Sequence, residues 1–175
     1  AMMKILQIKE HLDEKCDQPL ALAIGDTPSL LAMAYFEHVS EIRSGNFLFN
    51  DLTIQSKGLC QFEDIATVLE GVVISKTESD CRFVLHCGSV HLSKERHGDS
   101  HIQYGCIAKR DGHWIGSPLG ETHVVGLYQE HAVVVGPTDV VKQIQIGDEL
   151  CVIPVHSCLA MDAMYHKNKV QYISS

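Results

Sequence analysis

The chain has 175 residues and a formal net charge of −8, from 14 Lys and Arg against 22 Asp and Glu. Hydrophobic residues make up 45% and charged residues 21%, the balance of an ordinary soluble domain, which excludes disordered, collagen-like and mucin-like classes. No apolar run approaches the ~18 residues that span a bilayer. The longest basic cluster is Lys167-Asn168-Lys169, so neither a nucleic acid nor an anionic membrane surface is an expected partner.

The length predicts one domain, or one and a small piece, able to bury roughly 70% of its unfolded surface. Ala1 ahead of Met2-Met3 reads as a cloning remnant, and the charged segment after it does not read as a signal peptide. Seven scattered cysteines then suggest a reduced, cytoplasmic protein. Eleven histidines beside them make a metal site worth seeking.

Residues 4–16 carry Ile5, Leu6, Ile8 and Leu12 on one stripe and predict a helix, with Pro19 just past its end. Leu20–Ile24 is a short apolar run that suits a parallel strand buried on both faces. Asp26 or Thr27 caps a following helix from Leu30 to Phe36, Pro28 fits its first turn, and His38–Arg43 reads as a second strand. From residue 53 the texture turns to short segments rich in valine, isoleucine and threonine. The strand candidates are Asp64–Ser75, Arg82–Cys87, Ile102–Lys109, Thr122–Leu127, His131–Val135, Glu149–Pro154 and Val170–Ile173. The prediction is a mainly β chain: an α/β segment, residues 1–52, then a sandwich or barrel domain, residues 53–175. Two parallel strands do not make a stable sheet alone, so the first segment looks like the tail of something larger or like strands that need a partner chain.

Several constellations bear on chemistry. In Gly25-Asp26-Thr27-Pro28-Ser29 a strand opens through glycine into a helix start, where N–H groups and the Thr27 and Ser29 hydroxyls hold a phosphate or simply cap a turn. Glu41-Ile42-Arg43-Ser44-Gly45-Asn46-Phe47 is a second strand end beside glycine, in which Arg43 meets an anion or pairs with Glu41. Read as a strand, Pro154–Cys158 puts His156 and Cys158 on one face. An imidazole and a thiolate are ligands zinc prefers, and two of them make an open site rather than a closed structural one. The bland alternative is a buried cysteine beside a satisfied histidine. Of His86, Cys87, His91, His97, His101 and Cys106, the histidines read as surface or loop groups and the cysteines as core or surface thiols, and Glu130 beside His131 points to the opposite face of a strand. A nucleophilic thiol at Cys158 or Cys87 is a weaker idea, with no supporting spacing.

Taken in order, these segments resemble the C-terminal part of the D-threonine aldolase and D-serine dehydratase family, pyridoxal-phosphate enzymes of the alanine-racemase fold type. Gly25–Ser29 is similar to a Gly-x-Thr-Pro-Ser turn after the seventh strand of the family's barrel, and Glu41–Asp51 to the segment at the eighth. Ala66–Ser75, Cys87–Lys94, Tyr104-Gly105, Gln129-Glu130-His131-Ala132, Gly147-Asp148 and Ile153–Leu159 follow in the family's order. The resemblance implies that residues 1–52 equal the last two βα units of a TIM-type barrel. It implies that Gly25, Asp26, Thr27, Gly45 and Asn46 line the cofactor, and that His156 and Cys158 hold zinc or another divalent ion near it. The implied substrate is a small β-hydroxy D-amino acid, and the implied assembly a homodimer or a partner barrel chain. Phe47, Ala132 and Ser44 depart from the family's Tyr, Gly and Pro. No lysine here sits in the context of the family's cofactor-anchoring lysine. Pyridoxal phosphate is therefore expected only with a complete barrel, and the chain is expected to be inactive alone; the other reading is a non-catalytic metal-binding or dimerisation module.

Overall fold

The computed structural model describes residues 2–98, 104–111, 114–167 and 169–172. The chain divides into two compact units, Ala1–Phe47 and Leu48–Ser175.

In the first unit, helix α1 (Met2–Asp13) stops three residues short of its expected end. Its last residue turns the chain: the Asp13 carboxylate accepts the Leu20 amide at 2.7 Å and pairs with Lys9. Strand β1 is only Ala23–Ile24, and helix α2 is Thr27–Ala32. Strand β2 is only Glu41–Ile42 and runs parallel to β1. The parallel pairing agrees with the sequence reading, but the lengths correct it. Leu20 is exposed and, of β1, only Ile24 is buried, so this is not a strand covered on both faces. His38 takes a left-handed φ of 64°, which breaks the extended run expected over 38–43. Helix α2 starts at Thr27 because Asp26 caps it, and it ends where Met33 turns extended, well before Phe36.

The second unit opens on a short helix α3 (Leu52–Gln55) and a 3-10 turn at Phe62–Asp64. Six strands follow: β3 (Leu69–Thr77), β4 (Arg82–Leu85), β5 (Gly105–Asp111), β6 (Trp114–Leu127), β7 (Ala132–Val135) and β8 (Glu149–Pro154). Helix α4 (Thr138–Gln143) lies between the last two, and helix α5 (Ser157–Tyr165) follows β8. The strands close a barrel in the order β3-β4-β7-β6-β5-β8, every neighbouring pair antiparallel. Of a sandwich or a barrel, then, the fold is the barrel, and closure leaves no edge strand. Register shifts in β3/β4, β5/β6 and β6/β7 supply the extra local twist a small barrel needs.

Alternation makes the core. Along β3, Leu69, Gly71 and Val73 are buried while Glu70 and Val72 face outward. Phe83, Leu85, Ile107, Val124, Val134, Leu150 and Val152 complete the barrel's contribution, and Val141, Ile144 and Ala160 join from the helices. Val170–Ile173 corrects the seventh expected strand: residues 170–172 form none, and Ile173 is outside the described residues. With β8 already paired to both β3 and β5, no edge remains for it. The start of Asp64–Ser75 is likewise not strand, since the ladder begins at Leu69. Ile102 and Gln103, the first residues of another expected strand, also lie outside the described residues.

The long connection from β4 to β5 is pinned to the β6–β7 turn. Ser89 and Val90 amides donate to the Tyr128 and Gln129 carbonyls at 2.8 and 3.2 Å. That approach needs Gly88, where a Cβ would sit 2.5 Å from the Tyr128 oxygen and 2.6 Å from the His131 nitrogen. Gly88→Ala should therefore cost about 1–3 kcal/mol, as overpacking against backbone does. Gly126→Ala, with its nearest contact at 3.7 Å, should stay within about 0.5 kcal/mol; urea unfolding of both variants checks the contrast.

Candidate metal centre

The barrel's last strand delivers this site. Strand β8 ends at Pro154, the Val155 carbonyl accepts the Thr53 hydroxyl at 2.8 Å, and His156 is the extended N-cap of α5. The same-face argument for His156 and Cys158 is thus corrected: the pair straddles a helix start, with Cys158 in the first turn, instead of lying along a strand. Ser157 between them is fully buried and cannot point to solvent as a strand's opposite face would.

Asp51 organises this junction. Its buried carboxylate accepts from the Ile54 amide at 3.0 Å and from the Ser157 amide at 3.2 Å, so one side chain caps α3 and satisfies the first N–H of α5. The Ser157 hydroxyl donates to the Asn50 carbonyl at 2.5 Å. Asn50, in left-handed conformation, donates its amide to the Asp64 carbonyl at 3.1 Å, while its own buried Oδ1 finds no donor among the described residues.

His156 Nδ1 lies 2.5 Å from Glu95 Oε2. Cys158 is half-buried; burial pushes its thiol up, and the Asp51 charge pushes it further. Among the described residues no group of three or more His, Cys, Asp or Glu is arranged to hold a metal ion. The donor set nevertheless fits a borderline divalent cation bound openly. It offers one imidazole whose other nitrogen is held by a carboxylate and one thiol, beside a buried anion.

The other expected groups fall out differently. The two turns of the first unit meet: the Arg43 amide donates to the Ile24 carbonyl at 2.6 Å, and the Thr27 and Ser44 hydroxyls are 2.7 Å apart. Gly25 permits this, since a Cβ there would stand 3.2 Å from the Arg43 oxygen. Gly25 and Thr27 therefore stand beside Arg43 and Ser44, with Gly45 and Asn46 next along the chain. Yet Asp26 spends its carboxylate on the Ser29 amide at 2.9 Å, and Thr27 is buried against Ser44. An anionic cap on that amide does not fit a phosphate by itself, and no lysine stands in the turns. Arg43 is 3.4 Å from Glu41, the pairing alternative.

In the connection from β4 to β5, His91 Nδ1 accepts from the Gly88 amide at 3.1 Å, and burial, then Lys167 and His86, hold its basicity below the usual histidine range. His86 and His131 are exposed with ring centroids 6.2 Å apart. Glu130 and His131 sit in the β6–β7 turn, ahead of the strand that starts at Ala132. His101 lies outside the described residues. Cys87 and Cys106 are buried and their thiols are pushed up to about 12 by burial, so Cys87 is a core thiol and not a nucleophile. Sequence reasoning missed Glu95 and Asp51 as partners of this site. Glu95 is 61 residues from His156 and Asp51 is 106 from Ser157, and no local pattern signals contacts at that range.

The second unit is a closed six-stranded antiparallel barrel whose last strand runs into a helix. Residues 66–167, more than half of the chain, match the family described as "Putative serine dehydratase domain", and the chain belongs to that family. D-threo-3-hydroxyaspartate dehydratase from Delftia sp. (strain HT23) is 25% identical over 145 residues, covering 78% of this chain and 37% of that enzyme. A metal-free form of a cysteine-to-alanine variant of D-threo-3-hydroxyaspartate dehydratase superposes with a TM-score of 0.76 at 23% identity, over 90% of this chain and 42% of the other. An alanine-racemase-like protein from Idiomarina loihiensis gives 0.73 at 26% identity, over 82% and 38%. D-threonine aldolase from Filomicrobium marinum, at 16% identity and 0.62 over 90% and 38%, shares the fold. The chain thus spans about two fifths of the length of these relatives, and the family points to D-amino-acid dehydratases and aldolases.

Because the Asp51 carboxylate adds to burial in raising the Cys158 thiol, Asp51→Asn should lower that thiol toward its ordinary value. Asparagine is also a good helix cap. More thiolate at pH 8 should then speed iodoacetamide alkylation of Cys158 by about 3- to 10-fold, read by peptide mass spectrometry; an unchanged rate would remove Asp51 as a cause.

Proposed function

We propose that this chain is the C-terminal portion of a pyridoxal-phosphate- and divalent-metal-dependent lyase acting on β-hydroxy D-amino acids, a dehydratase or aldolase. Residues 1–52 would be the end of its cofactor-binding barrel and residues 53–175 its metal-carrying β-domain. The observation that carries the reading is the His156–Cys158 junction inside the matched segment 66–167. D-threo-3-hydroxyaspartate dehydratase has been solved as a histidine-to-alanine variant and as a metal-free cysteine-to-alanine variant, at positions two apart in its own chain. His156 and Cys158 have that same separation.

A divalent ion bound here would supply Lewis-acid polarisation of a substrate oxygen. This chain's own residues contribute the rest. His156 offers a ring nitrogen, Cys158 a thiol that must lose its proton to become a ligand, and Asp51 holds the backbone of Ser157 between them. Gly25–Thr27 and Gly45-Asn46 would at most line the pyridoxal cofactor, because no lysine of this chain stands in the context of the family's cofactor-anchoring lysine. The reading makes the chain inactive alone and places it in the cytoplasm, paired with a copy of itself or a barrel chain. Seven free cysteines support the reducing compartment. No described helix is long and apolar enough to cross a membrane. A second reading, a non-catalytic metal-binding or dimerising module, is favoured by one observation: the barrel is closed and carries its own core.

Elemental mass spectrometry tests the metal. Wild type should carry about one zinc per chain, and His156→Ala and Cys158→Ala should each lose most of it, since two-ligand sites lose affinity steeply with either donor. Equal zinc in wild type and His156→Ala would end the assignment. For the cofactor, borohydride treatment of chain plus pyridoxal phosphate should give no stoichiometric adduct at a single lysine, and such an adduct would overturn the claim that the anchor is missing. An in-frame barrel in the coding DNA upstream of Met2 separates the enzyme portion from the module.

A further inference from the structure

We propose that Glu95 is a positioning residue: it holds His156 as the Nδ1–H tautomer and so presents Nε2 as the nitrogen available to a metal ion. The consequence for metal rests on the reading above, while the tautomer rests on the hydrogen bond alone. Glu95 Oε2 stands 2.5 Å from His156 Nδ1. An ionised carboxylate only accepts, so Nδ1 donates, and the neutral ring then keeps its lone pair on Nε2.

Both partners are held from either side. The Glu95 amide donates to the Ser93 hydroxyl at 3.3 Å. Arg96 donates to the Tyr104 hydroxyl at 3.0 Å and lies 5.4 Å over that ring. His97 Nε2 lies 3.0 Å from the Leu52 carbonyl, an acceptor, so this ring donates. Three consecutive side chains thus tie the segment to three places: the start of α5, the approach to β5, and α3. Across the bond, Val155 is held by Thr53 and Ser157 by Asp51 and Asn50, which fixes the backbone on both sides of His156. Glu95 is itself half exposed, at 51% of its side chain, and a carboxylate contact so solvated adds little to stability. Orientation of the imidazole is what the contact supplies, as carboxylates do behind ligating histidines.

The test uses the whole chain. Zinc affinity is measured by competition with a chromophoric chelator for wild type, Glu95→Ala, Glu95→Gln and His156→Ala. Glu95→Ala should bind roughly 10- to 100-fold more weakly. Glu95→Gln should fall between, because its amide oxygen still accepts from Nδ1 without the charge. Urea midpoints of both Glu95 variants should match wild type. Independently of metal, nitrogen-15 spectra of labelled histidine in zinc-free protein should show His156 as the Nδ1–H tautomer in wild type and a shift toward Nε2–H in Glu95→Ala. Wild-type affinity in Glu95→Ala, when His156→Ala has lost zinc, would overturn the proposal while leaving the metal reading intact. An Nε2–H tautomer in the wild type would overturn it outright. If His156→Ala keeps its zinc, the metal reading fails, and the role of Glu95 in presenting Nε2 falls with it whatever the tautomer.

Discussion

One buried carboxylate joins the entrance and the exit of the barrel. Asp51 accepts from Ile54, three residues on, and from Ser157, 106 residues on. Both bonds go to amides at helix starts, which otherwise lack partners, and a buried amide without a partner costs about 1–3 kcal/mol. The chain can therefore leave β8 and turn into α5 without leaving that amide unsatisfied. That turn sets His156 and Cys158 where they are. The same carboxylate acts on the Cys158 thiol through its charge. Architecture and chemistry at this junction thus share a single group, and changing it moves both.

Barrel closure is the second constraint. Strand β8 is hydrogen-bonded on both sides, to β3 and to β5, and its interior residues are buried, so its end is fixed in position. A helix that follows such a strand starts from a rigid platform. The loops that gather around it are pinned in turn: the connection after β4 docks through Gly88 onto the β6–β7 turn, and its far part brings Glu95 to His156. The site combines the start of α5 with a loop residue, Glu95, and that start follows directly on the last barrel strand.

The two compact units differ in how much they hold by themselves. The second has a continuous apolar core and a closed ladder. The first pairs two strands over two residues each and leaves Met3, Ile5, Ile8 and Leu12 of its helix exposed. A two-residue parallel ladder stabilises little, and Ile5, Ile8 and Leu12 leave an apolar stripe of the helix exposed.

Short runs rich in valine, isoleucine and threonine between turn residues made all six barrel strands legible in part, β6 only over its second half, and Glu149–Pro154 was placed to the residue. The order of motifs carried the family. These are local signals: a strand half buried in a barrel writes its own pattern. The ends of elements were less legible. Helix α1 stops where Asp13 finds an amide seven residues away, and the expected strand at Val170 is not formed because β8 already has two neighbours. His156 and Cys158 were visible as a pair of donors two residues apart, but whether that spacing meant strand or helix start depended on Asp51 capping Ser157 from the far end of the domain. Residue identities and local periodicity determined the class of fold, the family and the donor types. Only tertiary structure decided the geometry around them, because the groups that cap, orient and charge the site come from positions 61 and 106 residues away, a distance across which no local pattern carries information.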